Sequence, residues 1–424
     1  MIPLLNQFHS YQIKDVKRDL FAAIMVASLL VPQSMAYALL AGLPPVYGFY
    51  SAIIPLIVYG VFGPSRQLSV GPVAVLSIMT FTTVSTLAPI GSPLYLQLVI
   101  MTTLLTGLLQ LGLSICRAGT LIKWIPGPVI SGFTLVLALT IILNQLQHIT
   151  NVSFNKELPF FFAVKDFIQS IQMVDWATLM FSSFLFIIYF ITKHTASKLP
   201  AVLWLLGAGI IATYVMKFDR KGLHVVGEVP SAMPSFIQPS LLIDYLPAIL
   251  PLAVMIALIG YMESIAMVNQ LNEKRKEQLK PNQELFTLGL SNTIGSFFCC
   301  FPVAGAFSRS AVNADSGAKS GLASIFCAVF LLIILSLFTG LFAYLPMAAL
   351  AIIIIVAAVR LVDVNMMLGR EINRRAYGLF AVTAVGCGVF GLMEGFVVGV
   401  VVGVVGRVVG RVVGRVVSKD RFNK

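Results

Sequence analysis

The chain has 424 residues, 58% of them hydrophobic and only 11% charged, with a mean hydropathy of +0.93. A soluble domain of this length could not bury so much apolar surface, so the soluble classes are excluded and the chain belongs in lipid. The formal net charge of +12 would suit a nucleic-acid partner, but the basic residues fall between and after the apolar runs, where they report membrane topology.

Residues 1–18 hold Lys14, Lys17 and Arg18 and no short apolar core ending in a small-residue cleavage site. They read as a cytoplasmic N-terminal segment, and the first apolar run stays as a membrane helix. Seven apolar segments follow, over residues 20–40, 46–62, 71–85, 94–116, 125–146, 176–191 and 200–216. After an outer connection over 217–244, seven more cover 246–271, 284–301, 308–318, 322–344, 347–361, 376–393 and 396–417, leaving a cytoplasmic tail at 418–424. A full span needs about 20 apolar residues. The third member of each series is shorter and opens near Pro or Gly, which predicts two half-helices.

The loops test this count. With the N-terminus inside, the inner side collects Lys14, Lys17, Arg18, Arg66, Arg117, Lys123, Lys193, Lys198, Lys274, Arg275, Lys276, Lys280, Lys319, Arg360, Arg370, Arg374, Arg375 and the basic tail. The outer side receives Lys156, Lys165, Lys217, Arg220 and Lys221. A missed span would scramble that asymmetry. Both termini are therefore expected in the cytoplasm of a plasma (inner) membrane protein. An odd number of spans in each half, 19–216 and 245–417, puts the halves in opposite orientations, an inverted repeat. Matching fragments support it: Pro72-Val73-Ala74 and Pro302-Val303-Ala304 at the third segments, Trp124-Ile125-Pro126 and Tyr344-Leu345-Pro346 before the fifth.

Regular helix is not expected across residues 302–307, and extended backbone at membrane depth survives only packed in protein or lining a wet cavity. Its partner is the stretch from Arg66 to Ala74. Two half-helices entering from opposite sides would aim their N-termini at each other, and each offers unpaired N–H groups and about half a positive charge, an anion site without a dedicated cation. Arg309, between Ser308 and Ser310, strengthens that field. The alternative is a snorkelling arginine, against which its first-turn position argues, because a cation there opposes the helix dipole unless an anion joins it. Glu263 lies deep in the eighth segment, where an ionised carboxylate costs about 2.5–3.5 kcal/mol on insertion scales. It either pairs with Arg309, carries a transported proton, or hydrogen-bonds structurally. Gln33 and Ser34 follow Pro32 in the first segment, where they face substrate or bridge helices.

The five cysteines, Cys116, Cys299, Cys300, Cys327 and Cys387, lack CxxC spacing and clustered histidines, so no metal, haem, disulfide or other cofactor is expected. Arg407, Arg411 and Arg415 recur every fourth residue on one face and read as a helix end bordering anionic lipid before they read as a voltage sensor. No nucleophile, base or metal constellation supports a membrane enzyme.

With VPQSMAYALLAGLPPVYGFY at 31–50, SVGPVAV at 69–75, GYMESIA at 260–266, NQEL at 282–285 and FSRSAVN at 307–313, the chain resembles the SulP anion permeases over nearly its whole length. The resemblance implies an all-α integral membrane protein of 14 spans in a seven-plus-seven inverted repeat. Core helices 1–4 and 8–11 would move against gate helices 5–7 and 12–14 in an elevator mechanism, with lipid around them and a homodimer as an allowed assembly. It also implies that a small anion sits between the third and tenth helix N-termini, near Gln33, Tyr37, Val73, Ala74, Phe307, Ser308 and Arg309. Glu263 would take the coupling ion, a proton where the acid is Glu and sodium where relatives carry Asp. Two departures matter. Ala304-Gly305-Ala306 replaces a frequent Thr-Gly-Ser, losing two hydroxyl donors, so bicarbonate or dicarboxylate (fumarate, succinate) carriage, or an exchanger or channel, stands beside proton-coupled sulfate uptake. The family usually carries a STAS domain after the last helix, whereas this sequence ends at Lys424.

Overall fold

The computed structural model describes residues 4, 11–120, 126–155, 158–195, 200–217, 222–227, 229–230, 233–275, 279–362, 364–367 and 374–406. The Arg407, Arg411 and Arg415 face, the 418–424 tail, Trp124-Ile125 and several loop lysines lie outside these residues. The fold is helical. In chain order come α1 (Ile13–Leu40), α2 (Val46–Phe62), the two-residue strand β1 (Val70–Gly71), α3 (Ala74–Leu87), α4 (Pro93–Ile115), α5 (Gly127–Thr150), α6 (Phe160–Ser170), α7 (Trp176–His194) and α8 (Ala201–Met216). Then follow α9 (Leu246–Arg275), α10 (Pro281–Ser296), β2 (Ala304–Gly305), α11 (Phe307–Asp315), α12 (Leu322–Leu337), α13 (Met347–Val359), α14 (Arg374–Phe390) and α15 (Leu392–Gly406).

Five of the described helices are long and apolar enough to cross a membrane, and six more are apolar but 10–17 residues long. The helix α6 falls inside what the sequence reads as an outer loop. Its apolar residues gather on one side, where Ala163 and Phe167 are buried, but eleven residues are too few to span. Boundaries follow local chemistry. Ser92 Oγ accepts from Tyr95 N–H at the start of α4, with Pro93 in the first turn, and Pro281 likewise occupies the first turn of α10. Gly42, at φ +72°, ends α1 against the ring of Tyr95, where a side chain would clash.

The chain forms two compact units. The first comprises Met1–Thr120, Gln145–Asn151 and Val174–Ile354, the second Leu121–Asn144, Val152–Met173 and Ile355–Lys424. Within the first, α2 packs on α12 and α10 on α4, α1 on α12 and α9 on α4, and α3 on α9 and α11 on α1. Close backbone approach makes two of these crossings possible. A Cβ on Gly60 would sit 2.8 Å from the Gly321 carbonyl oxygen, and one on Gly107 would sit 2.8 Å from that of Gly289. In lipid, where tails are as apolar as leucine, such small-residue contacts replace the hydrophobic drive. In the second unit, the Phe133 and Phe396 rings meet edge to face at 5.0 Å.

Candidate anion-binding site

Two extended stretches meet in the first unit. Val70 pairs with Gly305 and Gly71 with Ala304 in an antiparallel ladder, and Ala306 N–H donates to Ser69 C=O at 3.1 Å. Further backbone groups are held by side chains from the surrounding helices. Ser69 N–H donates to Ser310 Oγ (2.9 Å), Gly305 N–H to Ser264 Oγ (2.8 Å) and Phe301 N–H to Ser51 Oγ (2.9 Å). Asn313 Nδ2 donates to Gln67 C=O at 3.0 Å. Such hydrogen bonds are what let non-helical chain persist where it is packed in protein.

Each stretch feeds a short helix without a side-chain cap. Val73, in extended conformation, precedes α3, and Ala306 precedes α11. The first turns therefore present N–H groups that no side chain of the cap residue takes up, together with the positive ends of their dipoles. Arg309 lies in the first turn of α11 and is 0% exposed. Its Nη1 donates to Pro72 C=O at 2.9 Å and, at 3.5 Å, to Gln33 Oε1. Its Nε and Nη2 are buried with no hydrogen-bond partner. Tyr37 and Cys327 lie near the guanidinium. Gly71 leaves room for it, since a Cβ there would stand 3.2 Å from Nη2.

Thus Gln33, Tyr37, Arg309 and the Pro72–Ala74 turn converge, with Val73 and Ala74 buried. Phe307 is 56% exposed and lines a cavity of about 250 Å³ with Gln67, Met267, Gln270 and Asp315. Ser308 is half-buried beside it. Glu263 is half-buried in α9. The expected alternative of a Glu263–Arg309 ion pair is not realised, because the ion pair found among the described residues joins Arg18 to Asp15 at 3.7 Å. Its neighbour Ser264 is the residue that grips β2.

Several buried polar residues escaped the sequence reading. Asn292 and Gln110 are bonded to each other at 3.0 Å. Glu284 accepts from the Tyr59 hydroxyl at 2.7 Å. Asp19, fully buried, accepts from Lys319 N–H (2.6 Å), Ser320 Oγ (2.6 Å) and the Tyr11 hydroxyl (2.7 Å). Their signal was present, since each is a strongly polar residue in or at the edge of an apolar run.

Residues 16–408 match the family model described as the sulfate permease family. The chain belongs to the sulfate permease family. Among relatives of this sulfate permease family member, "Sulfate transporter 4.1, chloroplastic" of Arabidopsis thaliana is 34% identical over 407 residues, covering 94% of this chain and 59% of that protein. A probable sulfate transporter of Mycobacterium tuberculosis is 31% identical over 392 residues, 92% of this chain and 70% of its own. The chain thus spans 59% of the length of the first relative. Among solved structures, solute carrier 26 family member A9 superposes with a TM-score of 0.88 at 25% identity, over 95% of this chain and 67% of that one. The transmembrane domain of the cyanobacterial bicarbonate transporter BicA shares the fold, with a TM-score of 0.78 at 20% identity over 93% and 98% of the two chains.

Proposed function

We propose that this chain carries a small anion across the membrane, sulfate first, by proton-coupled secondary transport. The observation that carries this reading is Arg309, a fully buried guanidinium whose Nε and Nη2 have no partner, set where two uncapped helix starts face the same extended pair of strands. A buried charge without partners is costly, and an oxyanion supplies what those N–H groups lack, with geometry suited to a planar fork. Relatives described as sulfate transporters make sulfate the first anion to test.

The packing also favours a 14-span, seven-plus-seven inverted repeat with α3 and α11 as the half-helices. Exchanging α1, α2, α3 and α4 for α9, α10, α11 and α12 turns the α2–α12 contact into α10–α4, α1–α12 into α9–α4, and α3–α9 into α11–α1, all of which occur. On this reading both termini are cytoplasmic in a plasma membrane protein. Gln33, Tyr37, Val73, Ala74, Phe307, Ser308, Arg309 and Glu263 all belong to one compact unit, which also holds α7 and α8, helices that the resemblance assigns to the gate. Glu263 has the role of proton carrier, for its side chain lies within a spanning helix and makes no ion pair with Arg309.

Uptake into proteoliposomes tests both parts, with sulfate, bicarbonate, chloride, fumarate and succinate offered in turn, with and without an imposed pH difference, and with a sodium gradient as control. Sulfate should accumulate when the outside is acidic. Glu263→Gln should still exchange anion but lose accumulation driven by the pH difference. Accumulation by the variant at the wild-type level, or drive by sodium alone, would overturn proton coupling. Preference for bicarbonate would shift the substrate, in line with the hydroxyls missing at Ala304 and Ala306.

A further inference from the structure

The helix α10 touches the end of α2, which leads into the first extended stretch, and the second extended stretch itself. Near its start, Glu284 accepts from the Tyr59 hydroxyl of α2 at 2.7 Å. One turn on, Thr287 Oγ1 donates to Phe62 C=O at 3.0 Å. Those contacts fix the end of α2, from which the chain runs on into β1 and α3. Farther along, Asn292 holds the other stretch at a single residue from both sides. Its Oδ1 accepts from Val303 N–H at 2.9 Å and its Nδ2 donates to Val303 C=O at 3.2 Å, so the side chain imitates a strand neighbour. Asn292 is itself oriented by Gln110 of α4, whose Oε1 accepts from it at 3.0 Å and whose Nε2 donates to Ala257 C=O at 3.2 Å. Asn292 is 0% exposed, and α10 is locked to α4 by the Gly107–Gly289 contact.

Glu284 and Asn292 are eight residues apart, about 12 Å along one straight helix. The first grips the end of α2, upstream of α3, and the second the approach to α11. We propose that α10 is the spacer that sets the distance between the two helix starts, with Asn292 as the positioning residue on the α11 side, and that this distance selects anions by size. The proposal rests on the anion site suggested above. A helix start's field falls off within its first turn, and a binding constellation works only when held to about 0.5 Å, so a fraction of an ångström at Val303 should change which oxyanion both starts can reach together.

The test compares sulfate with molybdate, two tetrahedral dianions of equal charge and different size, in proteoliposomes bearing the full chain. The readout is the ratio of their half-saturation concentrations, which does not depend on how much protein folded. Asn292→Leu, of nearly the same volume, leaves both Val303 groups unheld, and Gln110→Met frees Asn292 while keeping its own bonds available. The ratio should change about fivefold or more in Asn292→Leu and by a smaller factor in the same direction in Gln110→Met. Should Asn292→Leu not fold, the Gln110→Met ratio decides alone. Half-saturation unchanged, or moved by one factor for both anions, overturns the spacer. Arg309→Ala, measured alongside, separates the two ideas. If it weakens both anions while the Asn292→Leu ratio stays put, the site stands and the spacer falls. If Arg309→Ala changes neither anion, the anion site itself is misplaced.

Discussion

Replacing Arg309 by methionine keeps an unbranched stem and removes the charge. Without anion, the guanidinium has one good acceptor, Pro72 C=O at 2.9 Å, and a long contact to Gln33, while Nε and Nη2 stay unpaired in the interior. Exchanging poorly compensated buried charge for apolar groups is often neutral or stabilising, by about 1–4 kcal/mol. The anion-free variant should therefore unfold no earlier than the wild type. With anion the sign reverses. A hydrogen bond to a charged group contributes about 1.5–3 kcal/mol, so losing even one of the bonds that Nε and Nη2 would make should weaken sulfate roughly 10- to 100-fold. At a sulfate concentration 100 times the wild-type Kd, bound anion stabilises the fold by about 2.7 kcal/mol. After a 100-fold loss of affinity the same concentration gives only about 0.4 kcal/mol. Thermal unfolding of purified protein in detergent, with and without sulfate, measures both quantities. A variant that unfolds early without anion yet keeps the full sulfate-induced shift would refute the reasoning, because Arg309 would then be a strut for Pro72.

Asp19→Ala removes the acceptor for Lys319 N–H, Ser320 Oγ and the Tyr11 hydroxyl. Three such losses at about 1.5 kcal/mol each give roughly 4.5 kcal/mol of destabilisation, and an unfolding midpoint equal to the wild type would show that the carboxylate does not tie α1 to the start of α12. Gly107→Ala brings a Cβ to 2.8 Å from Gly289 C=O and should cost about 1–3 kcal/mol, whereas Gly112→Ala on the same helix meets open space and should gain about 0.5–1 kcal/mol. Equal effects at both positions would disprove the close crossing. Asp175 caps α7, where the Thr178 hydroxyl and the backbone N–H groups of Ala177 and Thr178 hold its carboxyl below the ordinary value of 3.8. A lowered folded value stabilises above the unfolded one, so the cap is intact at neutral pH and lost as the pH falls below 3.8. Asp175→Ala should cost about 0.5–2 kcal/mol at pH 7, and its stability difference from the wild type should shrink in acid; a difference independent of pH would assign the effect to packing.

Much of this protein is legible in one dimension because the determining physics is local. Hydropathy averaged along the chain separates apolar runs from basic loops, and Pro72, Pro302 and the glycines beside them interrupt helix where β1 and β2 form. The lone Arg309 and Glu263 stand out against apolar neighbours by the cost of putting charge in hydrocarbon. What the chain could not reveal is which buried polar group answers which. Asp19 meets Ser320 across 301 positions, Gln67 meets Ala318 across 251 and Arg309 meets Pro72 across 237. Hydropathy gives each residue a desolvation cost, but the compensating hydrogen bond depends on distance and direction, and only the packed helices supply those. For the same reason sequence spacing left pairing with Glu263 open for Arg309. Tertiary packing instead set its guanidinium against a backbone carbonyl, with two of its nitrogens unpartnered.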